Sequence, residues 1–176
     1  MDGIQAAHMA RVRQLREAFA AANERLVARL RGASDEAAER PVAEAWSAAQ
    51  IGWHVATVST RFAAMIAGDI AGPQPLPDSF QERSWQEIAG SIPDRLRAPS
   101  AVHPPPVVKR TDAVAALEAS ATKMARAFDA LTSDRGSRMG ITSPVVGTIT
   151  VYQLAEWATA HIARHNKQAK RVLGEA

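Results

Sequence analysis

The sequence predicts an all-α fold, and three observations support this prediction. Alanine, the residue with the highest helix propensity, accounts for 37 of the 176 residues. Only 5% of the residues are aromatic, whereas sheet folds favour aromatic and β-branched side chains. A hydrophobic fraction of 47% and a charged fraction of 22% are typical of an ordinary globular protein, so we expect one domain over residues 1–176.

The N-terminal part of the sequence predicts two amphipathic helices. Apolar residues recur at steps of three and four from about residue 4 to 31, and Gly32 is expected to end helix one. Ser47 and Gln50 have the spacing of a capping box, in which each side chain accepts a hydrogen bond from the other residue's backbone N–H. This pair predicts the start of helix two, which we expect to cover residues 48–67.

A proline-rich connection follows helix two. Eight of the ten prolines lie between residues 73 and 106, and a continuous helix could not tolerate them. Phe80, Trp85 and Ile88 are expected to anchor one short helix in this segment. Because a connection of this length usually packs on or covers something, we expect this crossover, residues 73–106, to reach across one end of the bundle and cover a pocket as a lid.

The C-terminal part of the sequence predicts two more helices. Thr111 is expected to cap helix three, whose apolar stripe continues to about residue 132. A Gly/Ser/Pro loop is expected to follow it. Thr150 and Gln153 then repeat the capping-box spacing and predict helix four, which we expect to end near Leu173. Four helices with one long crossover between helices two and three predict a four-helix bundle.

Three histidines lie on the apolar faces of helices two and four. His161 and His165 are one turn apart on helix four, which places their Cβ atoms about 5–6 Å from each other. His54 lies at core spacing between Ile51 and Val58 on helix two. Three neutral imidazoles that leave a coordination position open are the pattern of a catalytic divalent-metal site.

The residues alone leave two interpretations of this cluster open. Antiparallel packing would bring the histidines near one level, since His54 lies roughly 9 Å into helix two and His165 and His161 lie roughly 12 and 18 Å from the end of helix four. Parallel packing fits slightly less well. The alternative to a metal site is a set of core histidines that hydrogen-bond to the backbone or to solvent. A zinc peptidase is disfavoured, because Ile162 stands where those enzymes have a glutamate.

The composition excludes several classes of function. The sequence has no cysteine, which rules out disulfides, thiolate nucleophiles and cysteine-ligated metal centres. The net charge of +3 comes from dispersed basic residues, so we expect no nucleic-acid partner. No apolar run has the length of a membrane span and the N-terminus lacks the apolar core of a signal peptide, so we expect no membrane association and a cytoplasmic location.

Three stretches of the sequence resemble the DinB-like (DinB/YfiT) superfamily of metalloenzymes. The first is EAWSAAQIGWH, residues 44–54, on helix two. The second is PVVGTIT, residues 144–150, and the third is the spacing L-x6-H-x3-H-x2-Q from Leu154 to Gln168 on helix four. The order and lengths of the helices agree over nearly the whole chain, whereas residues 68–110 match only as a long variable connection.

The resemblance implies a fold, a metal site and a range of activities. The fold would be an up-down-down-up four-helix bundle, and the ligands of a divalent ion, often nickel or zinc, would be His54, His161 and His165. Characterised members include S-transferases that use low-molecular-weight thiols, such as bacillithiol or glutathione, and a mycothiol-dependent isomerase. Homodimers are common in the family, so a homodimer is the assembly to test first.

The function that we expect is that of a metal-dependent enzyme acting on a small-molecule substrate, with a thiol S-transferase as the first hypothesis. Coordination would activate a thiol co-substrate as its thiolate without any protein cysteine. The alternatives are a metal-dependent hydrolase and a non-catalytic metal-binding helical protein. No general acid or base is identifiable beside the histidines, so catalytic and substrate-binding residues stay unassigned.

Other residues near the predicted site are expected to have structural roles. Gln50 is expected to serve its capping box and not a metal-bound water, and Trp157 to form a wall of the core or pocket. His8 and His103 are expected at the surface. The crossover should affect substrate preference more than metal affinity, because it contributes no predicted ligand.

Overall fold

The computed structural model of the protein describes residues 3–43, 45–93 and 96–175. Glu44, the first residue of the helix-two motif, lies outside the described residues. The chain is mostly helical, which confirms the predicted fold class. The elements in chain order are α1 (Gly3–Gly32), α2 (Asp35–Glu39), α3 (Ala48–Ala67), β1 (Gln74–Pro75), α4 (Trp85–Ser91), a 3₁₀ turn (Ser100–Val102), α5 (Arg110–Ala130), α6 (Ser133–Arg138), β2 (Met139–Ser143), β3 (Gly147–Thr150) and α7 (Val151–Val172).

The long helices α1, α3, α5 and α7 are the predicted helices one to four, and two of them begin with the predicted capping boxes. At α3, Gln50 N–H donates to Ser47 Oγ and Ser47 N–H donates to Gln50 Oε1. Thr150 and Gln153 make the same pair of hydrogen bonds at α7. α3 ends at Gly68, whose φ of 91° lies in the left-handed region that favours glycine. Local signals therefore set the starts of both helices that carry the clustered histidines, and also the end of α3.

The start of α5 differs from the prediction. Thr111 does not cap this helix, because the N-cap residue is Lys109, whose side chain makes no capping hydrogen bond. Instead, the Glu39 carboxylate at the end of α2 accepts hydrogen bonds from the Arg110 backbone N–H at 3.0 Å and from Lys109 Nζ at 2.9 Å. These bonds, that of the Arg110 backbone above all, hold the pKa of Glu39 below its usual range. A carboxylate from another helix thus replaces the local cap.

The segment after α5, predicted to be a loop, is instead folded. It contains α6 and an antiparallel hairpin of β2 and β3, in which Ile141 pairs with Ile149 and Thr142 pairs with Thr148. Such cross-strand pairs of β-branched residues stabilise a sheet. β1 adds to the other edge of β2, so that the strand order is β1-β2-β3. The sheet therefore joins the start of the crossover to the segment that precedes α7.

The four long helices surround one hydrophobic core. α3 packs against α5 and α7, and α1 packs against the same two helices. Gly52 permits α3 to pack closely against both α1 and α5, because a Cβ atom there would lie 2.6 Å from Leu30 Cδ1 of α1 and 3.3 Å from Ala113 Cβ of α5. The largest fully buried apolar residues of the four helices are Leu26, Leu30, Ile51, Ile66, Leu117, Met124, Leu154 and Ile162.

The crossover between α3 and α5 contains the predicted short helix. This helix is α4, and its Ile88 is fully buried while Trp85 is partly buried against the core. Further along, the 3₁₀ turn buries Val102. In the ranges that the structure describes, no helix is both long enough and apolar enough to cross a membrane.

A buried polar cluster lies where the N-terminal turns of α1 and α7 meet. His8, predicted to be at the surface, is only 7% exposed, because its Nδ1 atom lies 2.6 Å from the Tyr152 hydroxyl oxygen. The Arg11 guanidinium lies over the Tyr152 ring, 4.3 Å from its centroid. The ring also packs against the buried Gly136, where any added Cβ atom would overlap it. His8 is therefore a buried structural residue of this end of the bundle.

Candidate metal centre

The structure brings His54, His161 and His165 together. One ring nitrogen of each lies within 4.8 Å of the corresponding nitrogens of the other two. The ring centroids are 5.2 Å apart for His54 and His161, 4.8 Å for His54 and His165, and 4.4 Å for His161 and His165. Within the described ranges, this is the one group of three His, Asp or Glu side chains close enough to hold a shared ion.

The packing of α3 on α7 explains this convergence. His161 and His165 share one face of α7 because they are separated by about one helical turn. Phe62, two turns after His54 on α3, contacts Trp157, which precedes His161 by one turn on α7, with the ring centroids 5.3 Å apart. The two helices therefore run in opposite directions, and this arrangement brings the three imidazoles to the same level.

Burial keeps the three imidazoles neutral. It lowers the pKa of His54, and it lowers the pKa of His161 well below the usual value. The pKa of His161 is lowered further because a proton on either neighbouring imidazole would repel a proton on His161. Burial also lowers the pKa of His165 to about 4. Neutral imidazole is the form that binds metal ions, since a proton on the ligand nitrogen would block coordination. At neutral pH the cluster is therefore ready to bind an ion.

Hydrogen bonds orient two of the three rings. His54 Nδ1 donates to the backbone carbonyl oxygen of Val102 at 2.8 Å, and His165 Nδ1 lies 2.8 Å from Gln168 Oε1. Because these oxygens accept, each Nδ1 carries the proton and each Nε2 keeps a free lone pair. Histidines that bind metals commonly donate their second ring nitrogen to an oxygen in this way.

The third ring, that of His161, has a buried nitrogen atom, Nδ1, that lacks a hydrogen-bond partner among the described residues. A buried polar atom without a partner costs free energy. Phe62 packs against this ring, with the centroids 6.4 Å apart, and phenylalanine offers no polar partner. An ion shared with the two neighbouring imidazoles would supply such a partner, so the residues present fit a metal ion.

The donor set is also informative about charge. Three imidazole ligands are neutral, so a bound divalent ion would keep its full double charge. Burial is the largest cause of the low pKa of His161, and the positive charge of Arg164 lowers it further. A bound divalent ion would therefore give the site a net positive charge, since its three ligands carry none.

Aromatic rings line the cluster. The Trp46 ring lies 4.7 Å from that of His54 and 5.8 Å from that of His103. Trp157, half-buried against Phe62, forms the wall that was predicted. His103 is exposed, as predicted, and its Nε2 lies 2.9 Å from the Ala98 carbonyl oxygen.

The crossover contributes to the cluster in a way that the sequence did not reveal. Its 3₁₀ turn presents the Val102 carbonyl to His54, although none of the crossover residues that the structure describes belongs to the cluster of candidate ligands. A backbone carbonyl is common to every residue type, so no sequence signal could have identified it. Gln168 was part of the helix-four motif, and the structure gives it a partner in His165.

Comparison with known proteins supports the resemblance that the motifs indicated. The family model of the DinB superfamily matches residues 8–169, a range that contains all three clustered histidines and most of the four long helices. A search of curated proteins found no significant match. The family match covers most of the sequence, and we conclude that the chain belongs to the DinB superfamily.

Proposed function

We propose that the protein is a metal-dependent enzyme that transfers a low-molecular-weight thiol to an electrophilic small molecule. The observation that supports this proposal is the convergence of His54, His161 and His165, with pKa values that burial holds low. We assign these three residues as the ligands of one zinc or nickel ion. When bound, such an ion supplies the Lewis acidity that favours the thiolate form of a thiol at neutral pH.

The surroundings of the histidines favour an anionic sulfur nucleophile. The three neutral imidazoles would leave the double positive charge of a bound divalent ion uncompensated, and this charge would attract a thiolate. The rings of Trp46 and Phe62 give the site an apolar lining, which strengthens electrostatic attraction by lowering the local dielectric constant. In the proposed transfer a sulfur–carbon bond forms, the leaving group departs with its bonding electrons, and the thiol proton passes to solvent.

A metal-dependent hydrolase is the second candidate for the same site. Three protein ligands leave a coordination position open, and this arrangement suits water as well as a thiol. A non-catalytic metal-binding protein is the third hypothesis, supported by the lack of an identified general acid or base.

We also infer that the four long helices run up-down-down-up. Contacts near both ends of α1 and α7 support a shared direction for these helices: His8 lies beside Tyr152, and Arg29 donates to Asn166 Oδ1 at 2.8 Å. Early residues of α3 and α5 meet at Gly52 and Ala113, which supports a shared direction for that pair. The contact of Phe62 with Trp157 sets the two pairs in opposite directions.

The experiment that tests the proposed function is a thiol panel. Zinc-loaded, nickel-loaded and chelator-treated protein would be supplied with an aromatic halide electrophile and with glutathione, bacillithiol or mycothiol. We expect metal-dependent turnover with at least one thiol, and loss of turnover in His161→Ala. The matched control is Lys167→Ala, which alters an exposed residue of α7 and should keep the activity.

The same preparations would be tested on a panel of activated esters and amides. Metal-dependent hydrolysis without thiol transfer would replace the transferase by the hydrolase. Metal-loaded protein that is inactive on both panels would favour the hypothesis of a non-catalytic metal-binding protein.

A further inference from the structure

The last part of the crossover is fastened to α3 beside the candidate ligand His54. We call residues 96–106 the strap. Val102 of the strap accepts the hydrogen bond from His54 Nδ1, and both residues are buried, with 8% and 3% of their surfaces exposed. One turn before His54, Gln50 Nε2 donates to the carbonyl oxygens of Pro105 at 2.9 Å and Pro106 at 3.0 Å. Two side chains of one helix therefore hold the strap by its backbone.

The contact with Val102 selects the tautomer of His54. A carbonyl oxygen can only accept, so His54 must carry its proton on Nδ1, and the Nε2 lone pair is left for an ion. Without this acceptor the ring would be free to rotate and to exchange tautomers. Partners of this kind orient a metal-binding histidine and raise its basicity. Val102 therefore acts on the metal site as a positioning residue, through its backbone.

Gln50 has two separate roles in this arrangement. Its Oε1 accepts the hydrogen bond from Ser47 N–H, which completes the capping box of α3. Its Nε2 makes the two hydrogen bonds to the strap. The capping box alone requires no amide nitrogen, since glutamate serves equally well at this position. The amide nitrogen is thus the part of Gln50 that is dedicated to the strap.

We propose that closure of the strap and binding of the metal ion are thermodynamically linked. The closed strap presents Val102 to His54 and so raises metal affinity, and a bound ion strengthens the donor at His54 Nδ1 and so holds the strap closed. The inference rests on the proposed function in one respect, namely that the three histidines bind an ion. Linkage of two equilibria is reciprocal, so each effect must appear with the same factor.

The first test compares the metal affinity of two variants. Gln50→Met is neutral and of similar length, but it loses the donor to the strap together with its half of the capping box. Ser47→Ala is the matched control, because it removes the other half of the capping box and leaves Gln50 Nε2 in place. Affinity for Zn²⁺ would be measured against a competing chelator. We expect binding about tenfold weaker in Gln50→Met, as for other groups that orient a metal ligand, and little change in Ser47→Ala.

The second test measures amide hydrogen exchange in the strap. The Val102 and His103 amides donate to Pro99 and Ser100, so their exchange reports whether the 3₁₀ turn that presents Val102 to His54 stays folded. Zn²⁺ should slow the exchange of these amides in the wild-type protein, by the factor by which the closed strap binds Zn²⁺ more tightly than the open strap. In the absence of metal, Gln50→Met should make the exchange faster. Zn²⁺ should leave it unchanged in His165→Ala.

Two results separate failure of the linkage from failure of the proposed function. If wild-type protein binds Zn²⁺ but exchange in the strap is unaffected and Gln50→Met binds as tightly as wild type, the linkage is wrong and the metal site stands. If wild-type protein binds no divalent ion, both proposals are overturned. Equal loss of affinity in Ser47→Ala and Gln50→Met would assign the effect to the start of α3 and would also overturn the linkage.

Discussion

Gln168 and His165 lie one turn apart on α7, with Gln168 Oε1 2.8 Å from His165 Nδ1. The hydrogen bond fixes the ring of one candidate ligand from within its own helix, whereas the ring of His54 is fixed by a carbonyl 48 residues away in the chain. The two ligands are thus oriented independently. The side chain of Gln168 can be changed by mutagenesis, whereas the backbone carbonyl of Val102 cannot.

We predict that Gln168→Ala weakens metal binding by about 10–100-fold, the usual effect of removing a group that orients a metal ligand. Gln168→Glu should retain most of the affinity, since its carboxylate can accept the same hydrogen bond. Lys167→Ala changes the exposed neighbouring residue and should bind as wild type. Isothermal titration with Zn²⁺ measures all three. Unaltered affinity in Gln168→Ala would show that this hydrogen bond does not orient the ligand.

Removal of any one of the three clustered histidines should abolish stoichiometric binding. Wild-type protein should bind about one divalent ion per chain, because the cluster holds three nitrogen ligands for one ion. His54→Ala, His161→Ala and His165→Ala should each lose it, and Lys167→Ala, which alters an exposed residue of α7, should keep it. Metal analysis after equilibrium dialysis gives the stoichiometry. Three alanine variants that all bind as tightly as wild type would disprove the assignment of ligands.

The metal-free protein should remain helical at 25 °C, because its core of apolar side chains from four helices does not depend on the ion. Added metal should raise the melting temperature, since the folded state alone assembles the three histidines. At a free concentration of 100 times Kd the added stability is about 2.7 kcal/mol. Circular dichroism of chelator-treated and loaded protein measures both quantities. Loss of the helical signal on chelation would mean that the bundle folds only around its ion.

The stability of the metal-free protein should fall as the pH is lowered below about 6.5, the ordinary pKa of histidine. Burial lowers the pKa of His165 to about 4, and that of His54 and His161 in the same direction. In the window between these values the unfolded chain binds protons that the folded protein does not, so the free energy of unfolding decreases as the pH falls. Urea unfolding in a pH series measures it. His165→Gln should show a shallower dependence, and an unchanged slope would contradict the assignment.

Gly136→Ala should destabilise the protein by about 1–3 kcal/mol, the usual cost of forcing an extra methyl group into a packed interior. The added Cβ atom would overlap the Tyr152 ring. Gly90→Ala is the matched control in α4, because a Cβ atom there meets no other atom within 4 Å. The control should be neutral or slightly stabilising, since alanine is the better helix former. Chemical unfolding compares the two variants, and equal effects would show that Tyr152 moves aside freely.

The sequence predicted those features of the fold that depend on neighbours in the chain. The capping boxes at Ser47 and Thr150 involve residues three positions apart, and both helices begin where these pairs place them. Thr111 was wrong as a cap because the group that replaces the cap, Glu39, comes from a different helix. His8 was wrong as a surface residue because its partner, Tyr152, is 144 residues away.

In the candidate site, too, the features set by neighbours in the chain could be predicted, and those set by distant residues could not. Helical periodicity places His161 and His165 on one face, and the apolar stripe of α3 places His54 toward the interior, so the cluster could be predicted. The hairpin of β2 and β3 was missed because its Gly/Ser/Pro content resembles a loop, while pairing between strands supplies the order. The role of Val102 lies in its backbone, which every sequence shares.

Trp46 lies beside both His54 and His103, so its fluorescence can report on the site. The indole ring lies 4.7 Å from the candidate ligand and 5.8 Å from a residue of the strap. Tryptophan emission responds to the polarity of its surroundings, and nickel quenches it at short range. The sequence has four tryptophans, so Trp46→Phe would isolate the contribution of this ring by difference. The protein thus contains its own fluorophore at the point where the strap meets the candidate metal centre, and occupancy could be followed in real time without a label.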